Sequence, residues 1–186
     1  MVQWGYFPGS AKGSKGLLLR ILGHPHPNGR MRANYVRKFV EPKKKTLDVG
    51  CGEGIFYYGL TKKGCEMFGI DYSFEALENM RKRLKLVSIS PKIANADAQM
   101  LPIKSGIFEQ AICLDVIEHL RDANSAIKGI ARVLKKGGIL VLNITKKPRR
   151  QDEAFLLRWS RDRHPRDGVI TRYRVPTALA TRVRRV

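Results

Sequence analysis

Residues 47–54 read LDVGCGEG: two apolar positions around Asp48, then glycine at 50, 52 and 54. An apolar run that ends at glycine reads as a buried strand. The residues that follow, GIFYYGLTKKG, carry helical spacing at Ile55, Tyr58 and Leu60 before Gly64 stops them. Strand, glycine bend and helix together put a tight turn at the carboxyl end of a strand, where open α/β sheets bind ligands. Glycine at such a turn accepts positive φ and lets the backbone approach a ligand with no Cβ in the way. The spacing is G-x-G-x-G. The dinucleotide fingerprint G-x-G-x-x-G needs glycine where Ile55 stands, which disfavours a nicotinamide or flavin cofactor, and the absence of a following G-K-[ST] excludes a P-loop.

Further along, two periods alternate. CEMFGID reads as a second strand, and Ser73 caps a helix, FEALENMRKRLKL, with Phe74, Leu77, Met80 and Leu84 on one face. PKIANAD reads as a third, shorter strand and FEQAICLDV as a fourth. Between these two, AQMLPIKSG is a loop or a short helix. A helix from about Asn124 to Leu134, with Ile127, Ile130, Ala131 and Leu134 inward, is predicted to end at KKGG before a fifth strand, ILVLNIT. Five strands alternating with helices imply crossovers, hence an α/β fold: a Rossmann-like, doubly wound, mostly parallel sheet with helices on both faces.

The chain of 186 residues has a net charge of +20, unevenly spread. Residues 1–45 carry ten basic and one acidic side chain, residues 46–145 thirteen and eleven, and residues 146–186 thirteen and four. The predicted organisation follows these bounds. Residues 1–45 form a basic segment whose helix (Met31, Tyr35, Val36, Phe39) packs on the core, and 46–145 form the α/β core. Residues 146–186 form a basic tail with an amphipathic helix in DEAFLLRWSRDR and a sixth strand in GVITRYRV. Cys51, Cys65 and Cys113 stand too far apart for a structural zinc or a disulfide framework, which fits a reducing compartment. The run LLLRIL is too short to span a bilayer and lacks a cleavage site. A cytoplasmic location is expected, with peripheral contact to an anionic membrane through KGLLLRIL as the alternative.

Two acids complete the constellation around the glycines. Asp71 closes the second strand, 21 residues after Gly50, where a carboxylate can accept from both hydroxyls of a ribose. Asp97 ends the third strand and can accept from an exocyclic adenine amine. LDVGCGEG, GIDYS, ADAQMLPI, AICLDVIEHL and VLKKGGILVLNI, in this order and spacing, resemble class I S-adenosylmethionine-dependent methyltransferases, in the broad group that includes quinone-biosynthesis enzymes. The resemblance spans about residues 30–147 and implies S-adenosyl-L-methionine as cofactor. By position it implies that Asp48, Gly50, Cys51 and Gly52 border the methionine part and that Asp71 holds the ribose with Tyr72 beside the adenine. It further implies that Asp97 and Ala98 contact the adenine, and that the backbone at Leu114 and Asp115 lies near the sulfonium.

Methyl transfer from a sulfonium is an in-line displacement in which alignment supplies most of the acceleration, and a general base helps with a hydroxyl or acidic-carbon acceptor. His119, just past the fourth strand, is the candidate base, against a structural role at the IEHL turn. Asp115, Glu118 and His119 also resemble the Glu-x-x-Glu-His pattern that binds a divalent ion in some O-methyltransferases, but the fourth ligand has no match and no metal is assigned. LDVIEHL replaces the Pro-Pro-aromatic motif of amino-directed nucleic-acid enzymes, so O- or C-methylation of a small-molecule or lipid-like acceptor is expected. Two other readings stay open: an RNA methyltransferase gripping phosphates through the Arg- and aromatic-rich flanks, and a cofactor-binding relative without activity. The resemblance implies seven strands with a final antiparallel hairpin; with 41 residues after Thr145 and one further strand legible in them, an incomplete hairpin is expected.

Overall fold

The computed structural model describes residues 36–143 and 171–174. The run LLLRIL and the helix predicted in DEAFLLRWSRDR lie outside them, as do Met31 and Tyr35. In chain order the elements are β1 (Lys45–Val49), α1 (Ile55–Lys62), β2 (Glu66–Asp71), α2 (Phe74–Lys85), β3 (Lys92–Asn95), β4 (Phe108–Leu114), a 3-10 turn (Ile117–His119), α3 (Ala123–Val133), β5 (Leu134–Asn143) and β6 (Thr171–Arg174). They build one sheet in the order β3-β2-β1-β4-β5-β6. The first five strands are parallel and β6 runs antiparallel to β5. Strand order reverses between β1 and β4. A crevice opens at the carboxyl ends of strands at such a switch point.

Alternation along the strands divides the core into two layers. Leu47, Val49, Ala111, Cys113, Leu140 and Leu142 face α3, which buries Ala126, Ile127 and Ile130 on that side. Met67, Ile112, Leu114, Ile139 and Val141 face the other way, under Tyr57 and Leu60 of α1 and Leu77, Met80 and Leu84 of α2. Val36 and Val40 pack into this second layer, with residues 36–39 helical. Strands buried on both faces need apolar residues at every position, which is why they read as continuous runs rather than alternations.

Three expectations are corrected in detail. Phe74 is 63% exposed rather than inward, because it opens α2 at the sheet's carboxyl edge before the helix turns back over the strands. Tyr57 and Leu60 are the buried residues of α1, while Ile55 and Tyr58 are only partly covered. The Tyr57 hydroxyl explains the choice: it donates to the Met67 carbonyl at 2.8 Å and accepts from the Lys92 amide at 2.9 Å, tying β2 to β3. Finally, KKGG does not separate α3 from the fifth strand. β5 starts at Leu134, and a bulge absorbs these residues, with Gly137 at φ 72°.

Candidate functional site

The bend after β1 is built from backbone. Gly50, Gly52 and Gly54 all have positive φ, at 71°, 51° and 79°. The Gly50 and Cys51 amides both donate to the Ile70 carbonyl, at 2.8 and 2.9 Å, which latches the bend to β2. Cys51 is 5% exposed and its side chain belongs to the core, so only its backbone lies on the bend's outer side. Gly69, opposite Asp48 in the sheet, makes room for it: a Cβ there would meet the Cys51 Sγ at 2.8 Å. At Gly50 a Cβ would overlap Val116, whereas at Gly52 it would meet nothing within 4 Å. The same ladder is therefore closed at one glycine and open at the next.

Asp71 joins this bend to the next strand. Its Oδ2 accepts the Gly52 amide at 2.8 Å and its Oδ1 the Ser73 amide at 2.8 Å. The next residue, Tyr72, is 82% exposed, leaving its ring uncovered beside the bend. Asn95, at the end of β3, donates its amide to the carbonyls of Asp71 and Tyr72 at 2.9 and 2.8 Å. Beyond it the Asp97 carboxylate accepts the Gln99 backbone amide at 2.8 Å and its side-chain amide at 3.2 Å. Gln99 in turn accepts the amide of Asp122, the N-cap of α3. Ala98 is buried in the α3 layer.

Asp48 differs from the other acids. It is 3% exposed, and its Oδ2 is buried with no hydrogen-bond partner. Burial first, and then the nearby Asp71 carboxylate, push its pKa up to about 8. Burial also raises the Cys51 thiol. An unpaired buried acceptor is a rare and unfavourable feature in a folded chain.

At the end of β4, Leu114 is buried and Asp115 adopts a left-handed φ of 57°. Asn143, at the end of β5 and 2% exposed, donates to Asp115 Oδ1 at 2.8 Å and holds this turn. Asp and Asn tolerate that conformation better than other side chains do. His119 is exposed on the 3-10 turn that follows. Among the described residues, no three His, Cys, Asp or Glu side chains come together to hold a metal ion, so Asp115, Glu118 and His119 do not form such a group. Nor is any helix among these residues long and apolar enough to cross a membrane.

Thus Asp48 and the glycine bend, Asp71, Asp97 and Asp115 stand at the carboxyl ends of β1, β2, β3 and β4. Residues 47–142, spanning this whole edge, match the methyltransferase domain family. The chain belongs to that family.

This methyltransferase domain is 32% identical over 120 residues to a ubiquinone biosynthesis O-methyltransferase of Vibrio parahaemolyticus, covering 61% of this chain and 49% of that one. The chain spans about half the length of the curated relatives it matches. Among solved structures it resembles a protein from Pyrococcus horikoshii, with a TM-score of 0.62, 22% identity, and 86% and 82% of the two chains covered. It also resembles a SAM-dependent methyltransferase from Thermotoga maritima, with a TM-score of 0.56, 22% identity, and 76% and 61% covered. Both likenesses bear out the Rossmann-like fold. The family match bears out the resemblance to S-adenosylmethionine-dependent methyltransferases.

Several residues of the domain's edge escape sequence reasoning: Asn95, Gln99, Val116 and Asn143. Asn143 carried a signal, as a lone amide in the apolar run ILVLNIT. The concave patch at the opposite, amino edge of the sheet, near Lys44, Glu109 and Lys135, is occupied with its own charges: Glu109 accepts the Lys45 amide at 2.7 Å and pairs with Lys135 at 3.2 Å.

Proposed function

We propose that the chain binds S-adenosylmethionine along the carboxyl edge of β1 to β4 and transfers its methyl group to a small-molecule or lipid-like acceptor, at oxygen or carbon. One observation carries this reading: a glycine bend open at Gly52, closed from the next strand by Asp71, stands beside a buried Asp48 oxygen with no partner. That arrangement fits a ligand with a nucleoside at one end and an ammonium at the other. In it, Asp71 keeps lone pairs for the ribose hydroxyls, Tyr72 covers the adenine face, and Asp97 with Ala98 meets the adenine edge. Gly50, Cys51 and Gly52 offer backbone to the methionine part, and the Asp48 carboxylate offers the ammonium its missing counter-charge. When bound, the cofactor supplies an electrophilic methyl on sulfonium, and the chain contributes alignment and exclusion of water.

The left-handed turn at Asp115, fixed by Asn143, sets the backbone of Leu114 and Asp115 at the sulfonium end. His119, exposed on the same edge, takes the proton of a hydroxyl or acidic-carbon acceptor. The likeness to ubiquinone biosynthesis O-methyltransferases supports a small-molecule acceptor. Calorimetry with S-adenosylmethionine tests the binding half of the proposal. Transfer of labelled methyl to cell extract, separated into small-molecule, lipid, protein and RNA fractions, tests the rest. Label in the small-molecule or lipid fraction is expected. Label in RNA alone would overturn the choice of acceptor, and binding without any transfer would make the chain an inactive relative.

A further inference from the structure

Helices that connect parallel strands run back from the carboxyl edge of the sheet to its amino edge, so strand entrances and helix exits share one side of the domain. In this chain that side is basic. Lys62 and Lys85 close α1 and α2, Lys43 precedes β1, Lys104 lies in the loop before β4, and Lys136 stands in the bulge of β5. All five are exposed. The opposite edge has the other sign, with Asp71, Asp97 and Asp115 at strand ends and Asp122 at the start of α3.

Part of this pattern is explained by the helices themselves, because basic side chains in a last turn meet the negative end of the helix dipole. That covers Lys62 and Lys85. It does not cover Lys43, Lys104 and Lys136, which lie outside the helices and form no ion pair among the described residues. Lys43 moreover holds a left-handed φ of 58°, a conformation that glycine or asparagine takes at less cost. Neither flank supplies an acidic run to neutralise these lysines: residues 1–35 contain no acid, and residues 146–186 carry thirteen basic and four acidic side chains. An external anionic partner fits, and two features choose its kind. The unpaired groups are lysines, compact charges suited to a diffuse anionic field rather than to the two-pronged phosphate grip of arginine. Leu86, the C-cap of α2 at this same edge, is 60% exposed beside the exposed Lys82 and Lys85. A leucine ringed by lysines gains from the boundary between lipid headgroups and acyl chains. Single-stranded nucleic acid stacks instead on aromatic rings, and the most exposed rings among the described residues, Tyr72 and Phe74, stand at the carboxyl edge.

We propose that the amino edge of the sheet is a docking surface for an anionic lipid bilayer, with its lysines over phosphate-bearing headgroups and Leu86 in the interfacial layer. The reversal of sign across the sheet orients the domain. The carboxyl edge, with its glycine bend, faces water one strand length away and is loaded from the aqueous side. This surface is separate from the candidate site and does not depend on the cofactor reading.

The test uses the full chain and sedimentation with vesicles of phosphatidylcholine, with and without phosphatidylglycerol. Binding is expected to the anionic vesicles only, and to fall by at least about tenfold between about 0.1 M and about 0.5 M salt. Each lysine near such a surface contributes about fivefold, so Lys43→Gln, Lys104→Gln and Lys136→Gln together are expected to weaken binding about 100-fold. Their thermal melt is expected to match the parent's, since all three side chains are exposed. A control that removes the same charge from the C-terminal flank, Arg182→Gln, Arg184→Gln and Arg185→Gln, is expected to weaken binding by no more than about fivefold. Leu86→Ser is expected to weaken it severalfold while keeping the parent's salt dependence. An equal loss in the flank control would assign binding to net charge alone and overturn the proposal. So would equal binding to both kinds of vesicle, or no vesicle binding at all. A single-stranded RNA oligonucleotide is the rival probe: if the three lysine substitutions weaken RNA binding and leave vesicle binding unchanged, the edge is a nucleic-acid surface and the proposal falls.

Discussion

Asp71 Oδ2 accepts the backbone amide of Gly52 at 2.8 Å, so the acid that ends β2 also closes the bend that follows β1. With Oδ1 on the Ser73 amide, the same carboxylate starts α2 as well. Asp71 thus has a structural duty in addition to the ribose contact proposed for it. Hydrogen bonds to a charged group contribute about 1.5–3 kcal/mol each, although partial exposure lowers that figure here. Asp71→Ala is expected to lower stability by about 2 kcal/mol in denaturant melts and to abolish S-adenosylhomocysteine binding. Full binding at unchanged stability would contradict both roles.

Gly50 and Gly52 separate stability from binding. Both need a left-handed backbone, which disfavours a side chain by about 1–2 kcal/mol. A Cβ at Gly50 also overlaps Val116, and overpacking adds about 1–3 kcal/mol, so Gly50→Ala is expected to melt well below the parent. At Gly52 the Cβ enters open space, so Gly52→Ala is expected to lose only the backbone cost of about 1–2 kcal/mol while losing most of its affinity for S-adenosylhomocysteine. Thermal melts and titrations of the two variants should rank them in opposite order.

Much of this architecture is legible in the residues, for a physical reason. A parallel strand buried on both faces needs an uninterrupted apolar run, and a tight strand-to-helix bend needs glycine, so LDVGCGEG, MFGID and AICLDV announce themselves. Acids at the ends of those runs fall on one edge of the sheet because parallel strands all end on the same side. Helix faces are less legible near their first turn. Phe74 has the right spacing but lies beyond the sheet, and Tyr57 is chosen over Tyr58 by hydrogen bonds to β2 and β3 that spacing does not encode. Asn143 and Gln99 act through partners far along the chain, Asp115 and Asp122, and only the folded sheet brings them together.

The three cysteines are expected to be silent in the native state. Cys51, Cys65 and Cys113 are buried, and burial raises each thiol above its ordinary value, so thiolate is scarce as well as inaccessible. An aromatic disulfide reagent at mildly alkaline pH is expected to label none of them within minutes in native protein and all three in denaturant. Rapid native labelling of Cys51 would mean that the bend opens in solution, since its Sγ packs against β2.

Asp48 also gives stability a pH dependence of unusual sign. Most paired carboxylates have lowered values in the fold, as Glu109 and Asp122 do, and stabilise it above their unfolded range. Asp48 is raised from 3.8 to about 8, so between these values the native state binds a proton that the unfolded chain has lost. Stability from this group is complete below its unfolded value and declines as pH rises toward 8, beyond which the fold carries a buried charge. Asp48→Asn removes the titration. The variant is expected to match the parent only below about pH 4 and to exceed it increasingly up to about pH 8.5, by several degrees in Tm at the upper end. Melting curves of both proteins across that range, without ligand, check the sign: a gap that stays constant with pH would mean that Asp48 is ionised throughout, with a cation beside it.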